Sequence, residues 1–271
     1  MNTSASTFAN LESLRGHDLG RRTVAYSETD AILYALCVGA APDDLPIVYE
    51  RDLHVLPTFA LGKGLWAVEA AGALDVYDRL RTLHAAQTLE VHDRLPRSGT
   101  LDMRAHVTDV WDKGSAAMVD IVVECAEVTA TYSIFVPGAG GWGGQRGPSS
   151  PTADTAETTR TDHFSIDAGL PALYRLTGDL HPVHIDPEVS AAYGFDRPIL
   201  HGLCTLGIAA RTIAAAADAQ PWELTGLRAR FAAPVLPGTT LTVSAGATDA
   251  GVDFSAATGT ATVLKGGHAR F

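Results

Sequence analysis

A stretch rich in Gly, Ser, Thr and Pro divides this chain of 271 residues into two parts of similar length. The stretch spans residues 137–162, reads PGAGGWGGQRGPSSPTADTAETTRTD and shows almost no apolar periodicity. Such a segment buries too little apolar surface to offset the entropy lost on ordering it, so it predicts a linker. We therefore expect two domains, at residues 1–136 and 163–271.

Each part contains an apolar helix and runs that alternate apolar and polar residues. In the first part, residues 29–41 predict the helix, with Thr29 or Asp30 as its N-cap and Gly39 at its end. The strands predicted there are 88–96, 99–114 and 115–136, with a hairpin turn at Lys113-Gly114. One buried helix wrapped by an antiparallel sheet, stated twice, is an α+β plan.

The second part carries a strong helix start, in which Asp186 caps, Pro187 takes the first helical position and Glu188 lies in the positive first turn. This short helix ends near Gly194. A longer helix at 201–219 is apolar almost all round, which predicts that it is buried. Strands are predicted at 226–235, 239–250 and 252–271.

Composition and charge exclude several classes of protein. The net charge of −11 argues against a nucleic-acid or anionic-membrane partner, because phosphate binding needs clustered Lys and Arg. No apolar run approaches the roughly 20 residues of a membrane span, and the first residues lack the basic and apolar regions of a secretory signal. Three cysteines, Cys37, Cys125 and Cys204, are too few and too far apart for a disulfide framework. We expect a cytoplasmic protein with free, buried thiols.

The segment GDLHPVHID, residues 178–186, is the strongest candidate for chemistry. Asp179 and His184 are five residues apart, and Pro182 between them rules out a regular helix, because proline removes a backbone donor. The segment is therefore predicted to be a bent loop that leads into the helix after Asp186. Both side chains could reach one water molecule, where a His and a carboxylate can share acid–base work at neutral pH.

A second candidate follows at the sequence ILHG, residues 199–202. Gly202 lies at the start of the long buried helix, where backbone N–H groups are unpaired and the helix dipole is positive. A glycine there lets a carbonyl oxygen approach the backbone closely. The position predicts an oxyanion site for a developing enolate.

These segments resemble the MaoC-like, (R)-specific 2-enoyl-CoA hydratases, whose pattern is roughly Y-x-L-S-G-D-x-N-P-x-H-x-D-P and then A-x-x-x-G-F-x-x-P-I-x-H-G. RFAAPVLPGTTL, residues 230–241, resembles a later strand of the family, and residues 49–59 and 83–96 resemble its two-repeat members. The matching positions are Tyr174, Leu176, Gly178, Asp179, Pro182, His184, Asp186, Pro187, Gly194, Phe195, Pro198, Ile199, His201 and Gly202.

The resemblance implies a double hot-dog fold, in which each repeat is a helix wrapped by a curved antiparallel sheet. It implies reversible hydration of trans-2-enoyl-CoA to (R)-3-hydroxyacyl-CoA, with Asp179, His184 and Gly202 as catalytic residues. No metal or redox cofactor is then needed, CoA is the handle of the substrate, and the first repeat, which lacks the Asp–His loop, shapes the acyl pocket. We also expect a homodimer.

One position departs from the family pattern, which has Asn where this chain has His181. The Asn is expected to position the loop or the water, and His can also donate or accept hydrogen bonds there. His181, His201, Tyr193 and Phe195 are the candidate substrate-binding residues. The candidates for the CoA phosphates are Arg175, Arg197, Arg228 and Arg230.

Other interpretations remain open at this level. Asp179 could bond its own loop backbone, and His184 could be a structural histidine. The run Asp179, His181, His184 and Asp186 has residue types that bind zinc or iron. A hot-dog acyl-CoA thioesterase and a catalytically silent, thioester-binding subunit of a hydratase complex are the alternative functions.

Overall fold

A computed structural model of the chain describes residues 11–148 and 157–271. Ten strands in these described residues form one antiparallel sheet in the order β1-β3-β4-β5-β2-β7-β10-β9-β8-β6. Their bounds are β1 Asp18–Tyr26, β2 Leu83–Val91, β3 Gly99–Asp112, β4 Ala116–Glu124, β5 Val128–Pro137, β6 Arg160–Ser165, β7 Gly226–Phe231, β8 Thr240–Thr248, β9 Gly251–Thr258 and β10 Ala261–Arg270.

The strand order has the same plan when it is read from either edge of the sheet. In each half, the first strand lies at the outer edge and the second lies at the centre. The two central strands, β2 and β7, pair with each other, and Gln87 lies opposite Ala229. Each half therefore contributes five strands, and the two halves share one continuous backbone ladder.

Seven α-helices in the described residues cover one face of the sheet or connect its strands. Their bounds are α1 Glu28–Cys37, α2 Leu45–Val48, α3 Phe59–Lys63, α4 Trp66–Gly72, α5 Leu170–Tyr174, α6 Pro187–Ala192 and α7 Gly202–Ile213. As predicted, α7 is buried along most of its length, and a 3-10 turn at Ala214–Ala217 extends it. Within residues 11–148 and 157–271, no helix is both long and apolar enough to cross a membrane.

Helices α1 and α7 pack against each other and join the halves on the helical side of the sheet. The Arg211 guanidinium Nε donates to the Val38 carbonyl at 2.9 Å. Gly207 of α7 leaves room for Tyr34, because a Cβ at this glycine would lie 2.5 Å from the Tyr34 hydroxyl. The three cysteines are free, and Cys37 and Cys204 are buried at this contact.

The start of α1 differs from the sequence prediction. Ser27, and neither Thr29 nor Asp30, is the N-cap residue. Ser27 Oγ accepts from the Asp30 backbone N–H, and the Asp30 carboxylate accepts from the Ser27 N–H at 2.7 Å. This reciprocal pair is a capping box, so Asp30 supports the start of the helix from inside its first turn. The predicted end at Gly39 is confirmed by its left-handed φ of +88°.

The sheet has two edge strands that the sequence did not predict. Strands β1 and β6 are largely exposed and polar, so they lack the apolar alternation of a half-buried strand. Each is nevertheless held by a full ladder, β1 by β3 and β6 by β8. Strand β6 begins at Arg160, inside the stretch whose composition predicted a linker.

The first part of the glycine-rich stretch is bound to the first half. The buried Asp112 carboxylate accepts hydrogen bonds from the backbone N–H groups of Gly141, Gly143 and Gly144. These bonds, with one from Gly114, hold the pKa of Asp112 below its usual value. The side chain of Trp142 packs against the core. The linker prediction for residues 149–156 lies outside the described residues.

Candidate active site

Residues 178–186, here called the site loop, form the bent connection that Pro182 predicted. The loop starts at Gly178, whose φ of +142° is open to glycine but rarely to other residues. A 3-10 turn at Pro182–His184 follows. The loop ends at Asp186, whose carboxylate accepts from the Glu188 N–H at 2.9 Å and caps α6 as predicted.

His184 is fixed in one tautomer by a backbone carbonyl. Its Nδ1 lies 2.9 Å from the Ile199 carbonyl oxygen. Because a carbonyl oxygen only accepts, Nδ1 carries the proton and Nε2 keeps a free lone pair. Burial lowers the pKa of His184 to about 4. The ring is therefore neutral at pH 7, and its Nε2 can accept a proton.

Asp179, His184 and His201 form one cluster. A carboxylate oxygen and one ring nitrogen from each histidine all lie within 4.8 Å of one another. The two imidazole rings stack with their centroids 3.7 Å apart. His201 Nε2 donates to the Asp179 carbonyl at 3.2 Å, and burial lowers the pKa of His201 to about 2. His201 is thus a neutral ring that fixes both its neighbours.

The Asp179 carboxyl combines a structural bond with an acid–base environment. Its Oδ1 accepts from the His181 N–H at 3.2 Å, which is the local backbone bond of an Asx turn. Burial raises the pKa of the Asp179 carboxyl, and the charge of Glu69 raises it further. A raised pKa lets a carboxyl hold and return a proton nearer neutral pH.

Gly202 begins α7 directly after the cluster. His201 occupies the N-cap position but makes no side-chain cap hydrogen bond to the helix. The N–H groups of the first turn have no acceptor inside the helix, and the positive end of the dipole lies with them. A Cβ at Gly202 would lie 3.1 Å from the Phe231 ring, so the glycine keeps this end of the helix open.

His181 occupies the place of the family Asn and makes a bond that an Asn side chain also makes. Its Nδ1 accepts from the Val183 N–H at 3.3 Å and caps the 3-10 turn. Its Nε2 lies 3.2 Å from the Tyr193 hydroxyl. Burial and the neighbouring His184 lower the pKa of His181. The substitution therefore preserves an acceptor at the start of the turn and adds a link to the end of α6.

The remaining candidates from the sequence differ in their burial and in their contacts. Phe195 is half-buried beyond α6, where its backbone N–H donates to the Ser190 carbonyl. The charge of Arg175 lowers the pKa of His201, which places this arginine beside the site. Arg197 and Arg228 are exposed, and Arg230 is half-buried on β7.

The candidate metal ligands that the structure brings together differ from those that the sequence suggested. Asp186 is used as a helix cap and His181 as a turn cap, whereas His201 joins Asp179 and His184. The rings of His184 and His201 are stacked with their planes 25° apart. Lone pairs on nearly parallel rings run side by side, so they converge poorly on one tetrahedral or octahedral ion.

Sequence reasoning missed the residues that the first half brings to the site. Lys63, at the end of α3, donates through Nζ to the Thr177 carbonyl at 3.0 Å. Glu69 of α4 lies near enough to Asp179 for its charge to act on that carboxyl. More than a hundred residues separate these side chains from the site loop. Their place at the site could therefore have been predicted only from knowing how the two repeats pack together.

Comparison with known proteins identifies the class. Residues 152–266 match the model of the MaoC like domain, and residues 24–137 match the MFE-2 hydratase 2 N-terminal domain. A MaoC-like dehydratase from Phytophthora capsici superposes with a TM-score of 0.87, 24% identity and 96% of each chain covered. A Mycobacterium tuberculosis protein described as a double hotdog fold gives a TM-score of 0.57 with 18% identity over 95% of this chain and of that chain. The predicted double hot-dog fold is confirmed.

Curated relatives narrow the class. Over 245 residues, the chain is 39% identical to the mouse peroxisomal multifunctional enzyme type 2, covering 83% of this chain and 33% of that protein. It is 36% identical to the enoyl-CoA hydratase ChsH3 of Mycobacterium tuberculosis, covering 81% of this chain and 83% of that protein. The chain belongs to the MaoC-like family, in the form that joins a hydratase 2 N-terminal domain to a MaoC-like domain. The chain spans only part of the length of the mouse enzyme.

Proposed function

We propose that this protein catalyses the reversible hydration of a trans-2-enoyl-CoA to the (R)-3-hydroxyacyl-CoA. The observation that carries the proposal is the convergence of Asp179 and neutral His184 beside the open N-terminus of α7. The names of the mouse and mycobacterial relatives support the substrate class. No metal or redox cofactor takes part, and CoA serves as the handle of the substrate.

In the hydration direction, Asp179 and His184 bind one water molecule between them. As the water oxygen forms its bond to C3, His184 Nε2 accepts a proton, because Nδ1 is already committed to Ile199. The C2–C3 double bond opens and negative charge moves to the thioester oxygen, where the Gly202 N–H stabilises it. The Asp179–His184 pair then returns a proton to C2, so the elements of one water molecule are added.

The fold supports different roles for the two halves of the chain. The second half supplies the Asp–His pair and the helix N-terminus, whereas the first half packs beside them and borders the space for the acyl group. His181 lies within the site loop, and Tyr193 and His201 form hydrogen bonds to it; together these residues hold the shape of the loop next to the substrate. A homodimer and a cytoplasmic location remain predictions from the sequence, and size-exclusion chromatography tests the first.

The test is the absorbance of the enoyl-thioester band after mixing the protein with crotonyl-CoA or with a long-chain trans-2-enoyl-CoA. We expect the wild type to remove the band and form the (R) product. Asp179→Asn and His184→Ala should each lower kcat by about 10²- to 10⁴-fold, the range for loss of a general acid–base group. Asp43→Asn, an exposed aspartate after the helix of the first half, is the matched control and should keep wild-type activity.

Three results would contradict the proposal. Release of free CoA thiol without addition of water across the double bond would indicate a thioesterase. Binding of enoyl-CoA without turnover at any chain length would indicate a silent subunit. An (S) product would show that water reaches the opposite face of the double bond from the one proposed.

A further inference from the structure

The site loop is anchored at several points, and one anchor comes from the other half of the molecule. Within the second half, Ile199 holds His184, Tyr193 holds His181 and His201 holds the Asp179 carbonyl. The remaining anchor is at the entrance of the loop. There, Lys63 of the first half donates to the Thr177 carbonyl at 3.0 Å, two residues before Asp179.

The surroundings of Lys63 hold its ammonium in one place. Nζ lies 4.6 Å from the centroid of the Phe59 ring, over its face. The side chain is half-buried at the end of α3, and the carboxylate of Asp30 acts on it electrostatically. A cation that is partly removed from water and held over an aromatic ring makes a stronger and better-directed hydrogen bond than an exposed lysine.

The backbone next to Lys63 also touches the loop. A Cβ placed at Gly178 would lie 3.3 Å from the Gly62 carbonyl oxygen, so α3 and the first residue of the loop are in close approach. The α3 segment is itself fixed from the sheet, because the Tyr132 hydroxyl donates to the Leu61 carbonyl at 2.6 Å. A continuous path of packed groups thus leads from β5 through α3 to Thr177.

We propose that Lys63 is a positioning residue, through which the first half sets the place of Asp179 for hydration. This inference rests on the proposed function. The ammonium touches no reacting atom in this scheme. It fixes the Thr177 carbonyl and thereby the direction in which the chain enters Gly178 and Asp179. A repeat that lacks the Asp–His loop then still determines the geometry of catalysis in the other repeat.

The experiment compares Lys63→Met and Lys63→Arg with Lys113→Met in the full chain. Lys113 is a matched control, because its Nζ also donates to a backbone carbonyl, that of Arg146, but at the β3–β4 hairpin. With crotonyl-CoA we expect Lys63→Met to lower kcat about tenfold or more, since small misplacements of a reacting group cost that much. KM and the affinity for butyryl-CoA, which cannot react, should stay within about twofold of wild type.

Lys63→Arg keeps a cation and a donor, so it should recover most of kcat. Lys113→Met should match wild type in kcat. A kcat of Lys63→Met within twofold of wild type would overturn the proposal. Equal kcat values for Lys63→Met and Lys63→Arg would also overturn it. A fall in kcat that is matched by an equal fall in the folded fraction, measured by circular dichroism, would overturn it as well.

A second measurement distinguishes a failure of the Lys63 anchor from a failure of the proposed function. Imidazole ¹⁵N NMR of His184 reports its bond to Ile199 whether or not any substrate turns over. If the wild type shows no turnover, the proposed function fails. A shift of the His184 signals in Lys63→Met, and not in Lys113→Met, would still support the anchor. If those signals match wild type in Lys63→Met, the anchor is wrong.

Discussion

Corresponding segments of the two halves share a glycine, a proline and an aspartate at a helix N-cap, but they differ in the side chains between these residues. After α1, residues 38–44 contain the left-handed Gly39, a proline and Asp44 at the N-cap position of α2. After α5, the site loop contains the left-handed Gly178, a proline and Asp186 as the cap of α6. Only the second segment places an Asp and a His between these landmarks. These landmarks are thus common to both repeats. Between them the first segment has one Asp, Asp43, and no His, whereas the second has Asp179 directly after the glycine and His184 after the proline.

The helices that follow these segments differ as well. In the second half, α7 runs unbroken over 12 residues, whereas the first half has the short pieces α3 and α4. The Leu61 carbonyl, which a continuous helix would offer to the Leu65 N–H, accepts the Tyr132 hydroxyl instead. A Cβ at Gly64 would lie 2.4 Å from that hydroxyl oxygen. Because the helix of the first half is broken between α3 and α4, the continuous helix whose N-terminus lies at the cluster is α7.

The largest effect of this difference between the helices is expected for Gly202→Ala. The added methyl would meet the Phe231 ring at 3.1 Å and narrow the approach to the helix N-terminus, so kcat should fall about 10²-fold. Gly72→Ala in α4 is the control, because its Cβ would meet Arg79 at an ordinary 3.6 Å and activity should be kept. Gly202→Ala with Phe231→Leu should regain part of the loss. Equal kcat for Gly202→Ala and wild type would show that the substrate does not need the space between this residue and Phe231 to reach the helix N-terminus.

The halves also share a response to acid. Burial lowers the pKa of His84 on β2 to about 4, as it does for His184. Between about pH 6.5 and pH 4, the unfolded chain binds protons that these folded-state rings do not, so the free energy of unfolding falls as pH falls. Asp179 acts in the opposite direction, because its raised pKa favours protonation in the folded state.

Melting temperatures measured from pH 7 to pH 4.5 check this response. We expect a fall in the wild type and a shallower fall in both His84→Gln and His184→Gln, by similar amounts. The slope is compared within each variant, so a constant loss of stability does not affect it. An unchanged slope in either variant would show that its histidine titrates alike in the folded and unfolded chains.

The smallest expected effect is that of His181→Asn, which restores the residue of the family pattern. Both side chains can accept the Val183 N–H, so kcat should stay within about threefold of wild type. His181→Ala removes that acceptor and should lower kcat further. A large gain of activity in His181→Asn would mean that the native histidine suppresses the chemistry, as a silent subunit requires.

The sequence by itself determined the local parts of this protein. Gly39, Pro182 and Asp186 act on their own neighbours in the chain, so the helix end, the bent loop and the cap of α6 were predictable. The Asp179–His184 spacing was visible for the same reason. The edge strands β1 and β6 were not, because their polar residues are ordered by a neighbouring strand and not by their own pattern.

Only the tertiary structure decided which distant groups complete the site. The stacking of His201 on His184, the tautomer set by Ile199 and the reach of Lys63 to Thr177 all depend on how the loop, α7 and α3 pack together. These contacts join residues up to 114 positions apart in the chain. Hydrogen bonds and desolvation act through space over a few ångströms, so the pairing of β2 with β7 and the packing of the helices had to be known first.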